Sequence, residues 1–256
     1  MCNELFHIGP FTVYGYGLMI AIGIMAAYLT GEYRAKKQGL DPDTIFGLVI
    51  WAVAAGVIGG KVLFYLTQIP QIIEDPSILW DFANGFVIYG ALLGGIVGVV
   101  LYCCYKKLNF WSYFDLAMPS VALAQGFGRI GCFLAGCCYG METDGAFAVV
   151  FKNSAYAPNG VSLLPTQLIS SALDFLHCAA LLYFAKKYKK GEGQVAGLYF
   201  IFYSIGRFIL EYFRGDLIRG NVGTFSTSQF ISIFMLVFGV TVFVLSGKGV
   251  IGKKEN

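Results

Sequence analysis

Long apolar runs alternate with short polar segments along the whole chain. Each run has about 20 residues, the length that a helix needs to cross a hydrocarbon core of roughly 30 Å. The pattern predicts seven membrane-spanning helices, at approximately residues 11–31, 46–69, 85–105, 113–135, 166–185, 195–213 and 226–247. Pro119 and Gln125 interrupt the fourth run. A membrane helix tolerates such residues where it is surrounded by protein. We therefore predict an all-α polytopic membrane protein with a single integral membrane domain over residues 1–256.

The charged positions predict how the chain crosses the membrane. With 57% hydrophobic and 13% charged residues, the composition is typical of an integral membrane protein. The net charge of +3 is small and its lysines are clustered between runs, which argues against a nucleic-acid partner. The loops after the first, third, fifth and seventh runs contain most of the basic residues: Arg34, Lys36, Lys37, Lys106, Lys107, Lys186, Lys187, Lys189, Lys190, Lys248, Lys253 and Lys254. The opposite loops contain Lys152, Arg214 and Arg219. Because cytoplasmic loops carry such an excess, we expect the N-terminus outside and the C-terminus in the cytoplasm.

The start of the chain and its cysteines exclude several other classes. The segment "MCNELFHIGP" has no basic n-region, so the first run is expected to stay in the mature protein. Seven cysteines and two histidines show no spacing typical of zinc sites, so we predict no metal and no cofactor. The cysteines are expected to pack as small buried hydrophobic side chains.

Three basic residues fall inside predicted spans, which is costly unless they pair, reach water or bind a ligand. They are Lys61, Arg129 and Arg207. At about 1.5 Å per residue, all three are predicted in the outer half of the membrane. Glu211 lies four residues after Arg207 on the same helix face, and Arg214 follows. One interpretation is a purely structural set of charge pairs. The surplus of cations favours an anionic ligand instead, namely a phospholipid head group, because arginine binds phosphate well.

Two further polar or glycine-rich patterns bear on this site. Gly128 and Gly131 flank Arg129 and are predicted to let backbone approach a ligand, whereas most other glycines are expected to serve helix packing. Asp174 and His177, three residues apart on the fifth run, are predicted to form a satisfied polar pair.

Six stretches together resemble the prolipoprotein diacylglyceryl transferase family. They occur in the family's order and are "IGPFTVYGYGLM", "VIGGKVLFYL", "GFVIYGALLGG", "GRIGCFLAGCCYG", "LPTQL" and "GRFILEYFRGD". The resemblance implies a multi-pass protein of the bacterial plasma (inner) membrane. It further implies transfer of diacylglyceryl from phosphatidylglycerol to the lipobox cysteine of a prolipoprotein signal peptide, with release of glycerol phosphate.

The resemblance also implies the site residues. Matching the family's functional positions are Tyr16, Arg129, Gly140, Gln167, Arg207 and Glu211. Departures from its pattern are Lys61, Tyr89, Cys132, Ala135, Cys137, Leu164 and Ser170, where arginine, histidine, asparagine or glutamate is usual. The part that binds phosphate is therefore better retained than the part that moves protons.

These matches lead to a division of roles. Arg129 is expected to bind the lipid phosphate and Arg207, held by Glu211, to act as a second clamp, while Tyr16, Tyr89 and Glu211 remain alternative proton acceptors. Lys61, Gly128, Gly131, Gly140, Gln167 and Arg214 are predicted to bind substrate.

Two other functions stay open at this point. One is a non-catalytic or altered-substrate phospholipid-binding paralogue or a transporter. The other is a membrane thiol oxidoreductase that uses Cys132, Cys137 and Cys138, although no C-x-x-C motif supports it.

Overall fold

Helices account for most of the fold. The computed structural model describes residues 4–8, 11–80, 85–216 and 221–251. Within these ranges the helices are α1 (Gly15–Lys37), α2 (Pro42–Thr67), α3 (Ile69–Glu74), α4 (Ile88–Lys106), α5 (Phe110–Ala135), α6 (Thr166–Lys187), α7 (Gln194–Glu211) and α8 (Thr227–Gly247), with a 3-10 helix at Pro76–Trp80. Three antiparallel strand pairs are formed by β1 (Glu4–Ile8) with β2 (Phe11–Tyr14), β3 (Val149–Val150) with β4 (Ser162–Leu163), and β5 (Asn221–Val222) with β6 (Phe225–Ser226).

Every predicted span overlaps one long helix, which confirms an all-α polytopic fold. Five of these helices, namely α1, α2, α4, α6 and α8, are long and apolar enough to cross a membrane. The other two long helices, α5 and α7, are less apolar because they carry most of the internal charges: Asp115 and Arg129 in α5, and Arg207 and Glu211 in α7. The direction in which the chain crosses the membrane remains a prediction.

Contacts divide the chain into two units, Glu32–Phe110 and the remainder, and we describe each by itself. In the larger unit, α5, α6 and α7 share a core. Its buried residues are Met118, Ala122, Cys178, Leu181, Val195, Ala196 and Tyr199. A glycine brings α5 and α6 together, because a Cβ atom on Gly126 would collide with the ring of Phe175. The helices that carry the internal charges are thus fixed against one another.

A buried carboxylate anchors the start of α7 in the same unit. Asp115 accepts hydrogen bonds from the backbone N–H groups of Gly193 at 2.7 Å and Ala196 at 2.8 Å. Lys189 approaches the same carboxylate at 3.1 Å, and it also bonds Glu192 at 2.8 Å. A carboxylate that satisfies exposed N–H groups at a helix start stabilises that start electrostatically. Asp115 therefore fixes the position of α7 relative to α5.

The smaller unit is built on close packing of α2 against α4. A Cβ atom on Gly59 would meet the carbonyl oxygen of Gly90, and one on Gly94 would meet that of Ala55. Small residues allow this approach in apolar helices, where van der Waals contact drives association. The glycines of these two helices thus serve packing, as the sequence predicted.

Candidate active site

A cavity of about 320 Å³ lies among α5, α6 and α7. Its apolar wall comes from Leu173, Leu176, Ala180, Phe202 and Leu210, among others. Its polar lining consists of Arg129, Ser170, Asp174, His177, Tyr203 and Arg207. A cavity that combines two guanidinium groups with aliphatic walls suits an amphiphile that has an anionic group.

Arg207 is held firmly on one side of this cavity. Its Nη2 atom lies 2.6 Å from Oε2 of Glu211, one helical turn later, and donates a hydrogen bond to Oγ of Ser228 at 2.7 Å. The i, i+4 spacing predicted the first contact, and the structure confirms it. Both side chains of the ion pair are nearly buried, so Arg207 has a fixed direction and a compensated charge.

Arg129, on α5, faces the same cavity with its charge uncompensated at short range. In the described part of the chain, no carboxylate lies within 4.0 Å of its guanidinium. Tyr203 and Asp174 interact with it electrostatically, and so does Arg207. A partly buried cation with this environment gains from an anion that enters the cavity.

Arg214 follows the end of α7 and forms an ion pair with a nearby aspartate. Its Nε and Nη2 atoms reach the two carboxylate oxygens of Asp216 at 2.7 and 2.5 Å. Burial opposes the charge of Arg214, but the bonds to Asp216 and to Cys138 outweigh it and raise the pKa of the guanidinium. The substrate-ligand role of Arg214 stays a prediction, and in this structure the guanidinium is engaged in this bidentate pair.

Tyr16 and the predicted glycines lie around the C-terminal half of α5. Tyr16, the second residue of α1, interacts electrostatically with Arg129 and with the cysteines that follow it. Gly131 faces α1, since a Cβ atom there would come within 3.2 Å of Tyr16 and Met19. A Cβ atom on Gly128 would meet nothing within 4 Å, so no close contact requires glycine at that position.

Gly140 and Gln167 shape the loop that follows α5. A Cβ atom on Gly140 would collide with the carbonyl oxygen of Leu164, and the Gly140 N–H donates to that oxygen at 3.0 Å. Gln167 is almost fully buried, and its Nε2 atom donates to the carbonyl of Cys137 at 2.8 Å. Neither residue lines the cavity. In this structure both position the loop that carries the cysteines.

The expected pair of Asp174 and His177 is wrong. The Nε2 atom of His177 is buried with no hydrogen-bond partner, and its ring stacks on Tyr199 with centroids 5.1 Å apart. Asp174 instead interacts with Arg129. Both side chains line the cavity. They have different partners because the His177 ring packs against Tyr199 and Phe202 of α7.

Two residues of this environment, Tyr203 and Ser228, are not predicted from the sequence. Tyr203 precedes Arg207 by one helical turn, so helical spacing was a usable signal for it. Ser228 contacts Arg207 through the packing of α7 on α8, and no local pattern indicates such a contact.

Lys61 and Tyr89 belong to the smaller unit. Lys61 donates to the carbonyl oxygen of Gly85 at 3.1 Å and lies over the ring of Phe64, at 5.2 Å from its centroid. Tyr89 is the second residue of α4 and is 44% exposed. Their roles as substrate ligand and proton acceptor stay predictions.

Comparison with known proteins gives a consistent picture. A family model described as prolipoprotein diacylglyceryl transferase matches residues 3–245. A phosphatidylglycerol–prolipoprotein diacylglyceryl transferase of Clostridium tetani is 50% identical over 239 residues, which is 93% of this chain and 95% of that protein. A second one, from Clostridium perfringens, is 45% identical over 95% of this chain and 94% of its own length. A third, from Staphylococcus aureus, is 32% identical over 93% and 87%.

Proposed function

This chain belongs to the prolipoprotein diacylglyceryl transferase family, and from that premise we propose that it transfers diacylglyceryl from phosphatidylglycerol to a prolipoprotein. The acceptor is the thiol of the lipobox cysteine, and the other product is glycerol phosphate. The cavity that is lined by Arg129, Arg207 and an apolar wall supports this function and indicates where in the molecule the reaction takes place.

The two arginines fit the two demands of the phosphate. The charge of Arg207 is compensated by Glu211, and its side chain is fixed by a hydrogen bond to Ser228, so it serves as a rigid donor. Arg129 has no ion-pair partner within 4.0 Å in the described residues, so it gains most from the ligand's charge. In the cavity, such preorganised donors stabilise negative charge more strongly than they do in water. Their positions support binding of the phosphodiester of phosphatidylglycerol.

In the transfer step, the substrate sulfur attacks the glyceryl carbon that bears the phosphate ester. The new C–S bond forms as the C–O bond breaks, and the electron pair leaves with glycerol phosphate. Arg129 and Arg207 stabilise the charge that develops on this leaving group. The thiol must lose its proton, because the thiolate is the nucleophile. We assign Glu211 to holding Arg207 rather than to proton transfer. Tyr16 and Tyr89 stay the predicted acceptors, and either tyrosine would take the proton as its phenolate.

The basic loops support a location for this reaction. We propose that the chain lies in the bacterial plasma (inner) membrane with the cavity in the outer half, because the positive loops are expected on the cytoplasmic side. Prolipoprotein signal peptides would then meet the enzyme beside the outer leaflet, where phosphatidylglycerol is also present.

A direct assay tests the function. The purified chain is incubated with phosphatidylglycerol and a lipobox peptide, and mass spectrometry follows the peptide. We expect a mass increase of one diacylglyceryl group, and none for a peptide with the lipobox Cys→Ser substitution. Binding of phosphatidylglycerol without any modified peptide would replace this proposal with a non-catalytic lipid-binding protein.

A further inference from the structure

Three cysteines come together at the end of α5, one within the helix and two adjacent ones just after it. The Sγ atoms of Cys132, Cys137 and Cys138 all lie within 4.8 Å of one another. All three side chains are partly exposed and present thiols rather than disulfides. The chain reverses direction after α5 through two left-handed residues, Gly136 (φ 77°) and Cys138 (φ 61°), and this reversal returns the second and third sulfur atoms to the first. The sequence places these cysteines near one another but without a spacing typical of zinc sites, so the sequence predicts no metal.

Hydrogen bonds from neighbouring groups fix the backbone that carries these cysteines. Gln167 donates to the carbonyl of Cys137 at 2.8 Å, and Thr166 Oγ1 donates to that of Cys138 at 3.0 Å. The Cys137 N–H donates a hydrogen bond to the carbonyl oxygen of Cys132 at 3.1 Å. The backbone on both sides of the loop is therefore satisfied by fixed partners. A group of ligands that is organised before binding loses less entropy when an ion arrives.

We propose that these three cysteines form a binding site for one thiophilic divalent cation, with zinc as the reference ion. Zinc–sulfur bonds of about 2.3 Å in tetrahedral directions hold sulfur atoms about 3.8 Å apart. Since the sulfur atoms already lie within 4.8 Å of one another, movement of about 1 Å or less completes the site. Three protein ligands leave the fourth position open to water or to an incoming thiol.

Charge balance supports a divalent ion at this place. Three thiols release three protons to solvent as they bind Zn²⁺, which gives a site of net charge −1. Arg214 hydrogen-bonds Cys138, and Arg129 interacts electrostatically with Cys132 and Cys138, so cations already border the sulfur atoms. An outer-shell donor of this kind orients and tunes a metal ligand. The site is inferred from this geometry alone and does not depend on the transferase function.

Titration of the full chain with Cd²⁺ tests the site. The protein is purified in detergent with a non-thiol reductant, and the cadmium–thiolate absorbance is followed, while elemental analysis counts bound Zn²⁺ in a parallel sample. We expect one ion per chain. Cys132→Ser, Cys137→Ser and Cys138→Ser should each weaken binding by more than the roughly 10–100-fold that loss of an outer-shell partner costs.

The matched control is Cys104→Ser, which removes an exposed thiol of α4 and should leave the titration unchanged. A second measurement uses the unaltered chain and so does not depend on variant folding. Zn²⁺ should protect Cys132, Cys137 and Cys138 from alkylation, as read by mass spectrometry, while Cys104 continues to react. Equal alkylation of the three cysteines with and without Zn²⁺, or a titration unaffected by their replacement, would overturn the proposal.

Discussion

At the scale of single residues, each cation near the cavity has a different electrostatic environment. Glu211 compensates Arg207, and Asp216 compensates Arg214 in a bidentate pair. Among the described residues, Arg129 has no carboxylate within 4.0 Å, and it interacts electrostatically with Tyr203, Asp174 and two cysteines. The sequence indicated a surplus of positive charge, but only the structure shows that the surplus resides on Arg129. The phosphate contact is therefore expected to depend most on this residue.

We predict that Arg129→Ala lowers the rate of peptide modification by at least about 100-fold, the typical effect of losing one donor to a developing anion. Arg129→Lys should recover part of the rate, because it restores the charge without the bidentate fork. The measurement is the mass-spectrometric peptide assay with saturating phosphatidylglycerol.

Lys152→Ala is the control, since it removes a cation from an exposed loop outside the cavity and should be silent. Full activity in Arg129→Ala, or an equal loss in Lys152→Ala, would refute the assigned phosphate contact.

A second prediction concerns the Arg207–Glu211 pair. If Glu211 acts only by holding Arg207, then Glu211→Gln should lower activity in the native background and cost little more once Arg207→Ala is present. Such non-additivity is the expected behaviour of two residues in contact. Activities of the two single variants and the double variant provide the measurement, with thermal melting to show that each is folded. Fully additive losses would mean that Glu211 has a separate role in the reaction.

At the scale of helices, the apolar runs predicted the number of long helices better than their ends. The first run was placed at 11–31, but residues 11–14 form β2 and the helix begins at Gly15. Apolarity alone does not distinguish a strand from a helix. The second helix begins earlier than predicted, at Pro42, because Asp41 caps its N-terminus. Proline in the first turn after a capping aspartate is a local signal that hydropathy overlooks.

A prediction at this scale concerns the anchor of α7. Asp115→Ala should destabilise the protein by about 3–5 kcal/mol, because Lys189 loses its buried partner and two backbone N–H groups are left unsatisfied. Lys189→Met should have a smaller effect, since the lysine is 20% exposed. Lys186→Met, an exposed neighbour at the end of α6, is the control and should change little.

The same pair predicts a dependence on pH. Burial opposes the charge of Lys189, but Asp115 and Glu192 outweigh it and raise the pKa of the amine above its ordinary 10.5. A raised pKa means that the stabilisation is complete below pH 10.5 and is lost as the pH rises through the folded-state value. The difference in melting temperature between the native chain and Lys189→Met should therefore be constant at neutral pH and shrink in strong alkali. A difference that grows with pH would contradict the pairing.

At the scale of the whole molecule, the sequence predicted the class of fold and several charged site residues, but not the tertiary contacts around them. Helical spacing was sufficient for the Arg207–Glu211 pair. The contact of Arg207 with Ser228 depends on how α7 packs against α8, and the convergence of the cysteines depends on the backbone conformation of the loop after α5. The periodicity of apolar residues along the chain does not predict such contacts.

The last prediction is the orientation of the chain in the membrane. Twelve basic residues lie in one set of loops and three in the other, and cytoplasmic loops carry the excess. Seven crossings then separate an external N-terminus from a cytoplasmic C-terminus. A reporter fused after Asn256 should be active only in the version that functions in the cytoplasm, whereas one inserted beside Lys152 should require the external version. The reverse result would place the cavity of Arg129 and Arg207 in the inner half of the membrane, away from external lipoprotein precursors, and would contradict the proposed site of reaction.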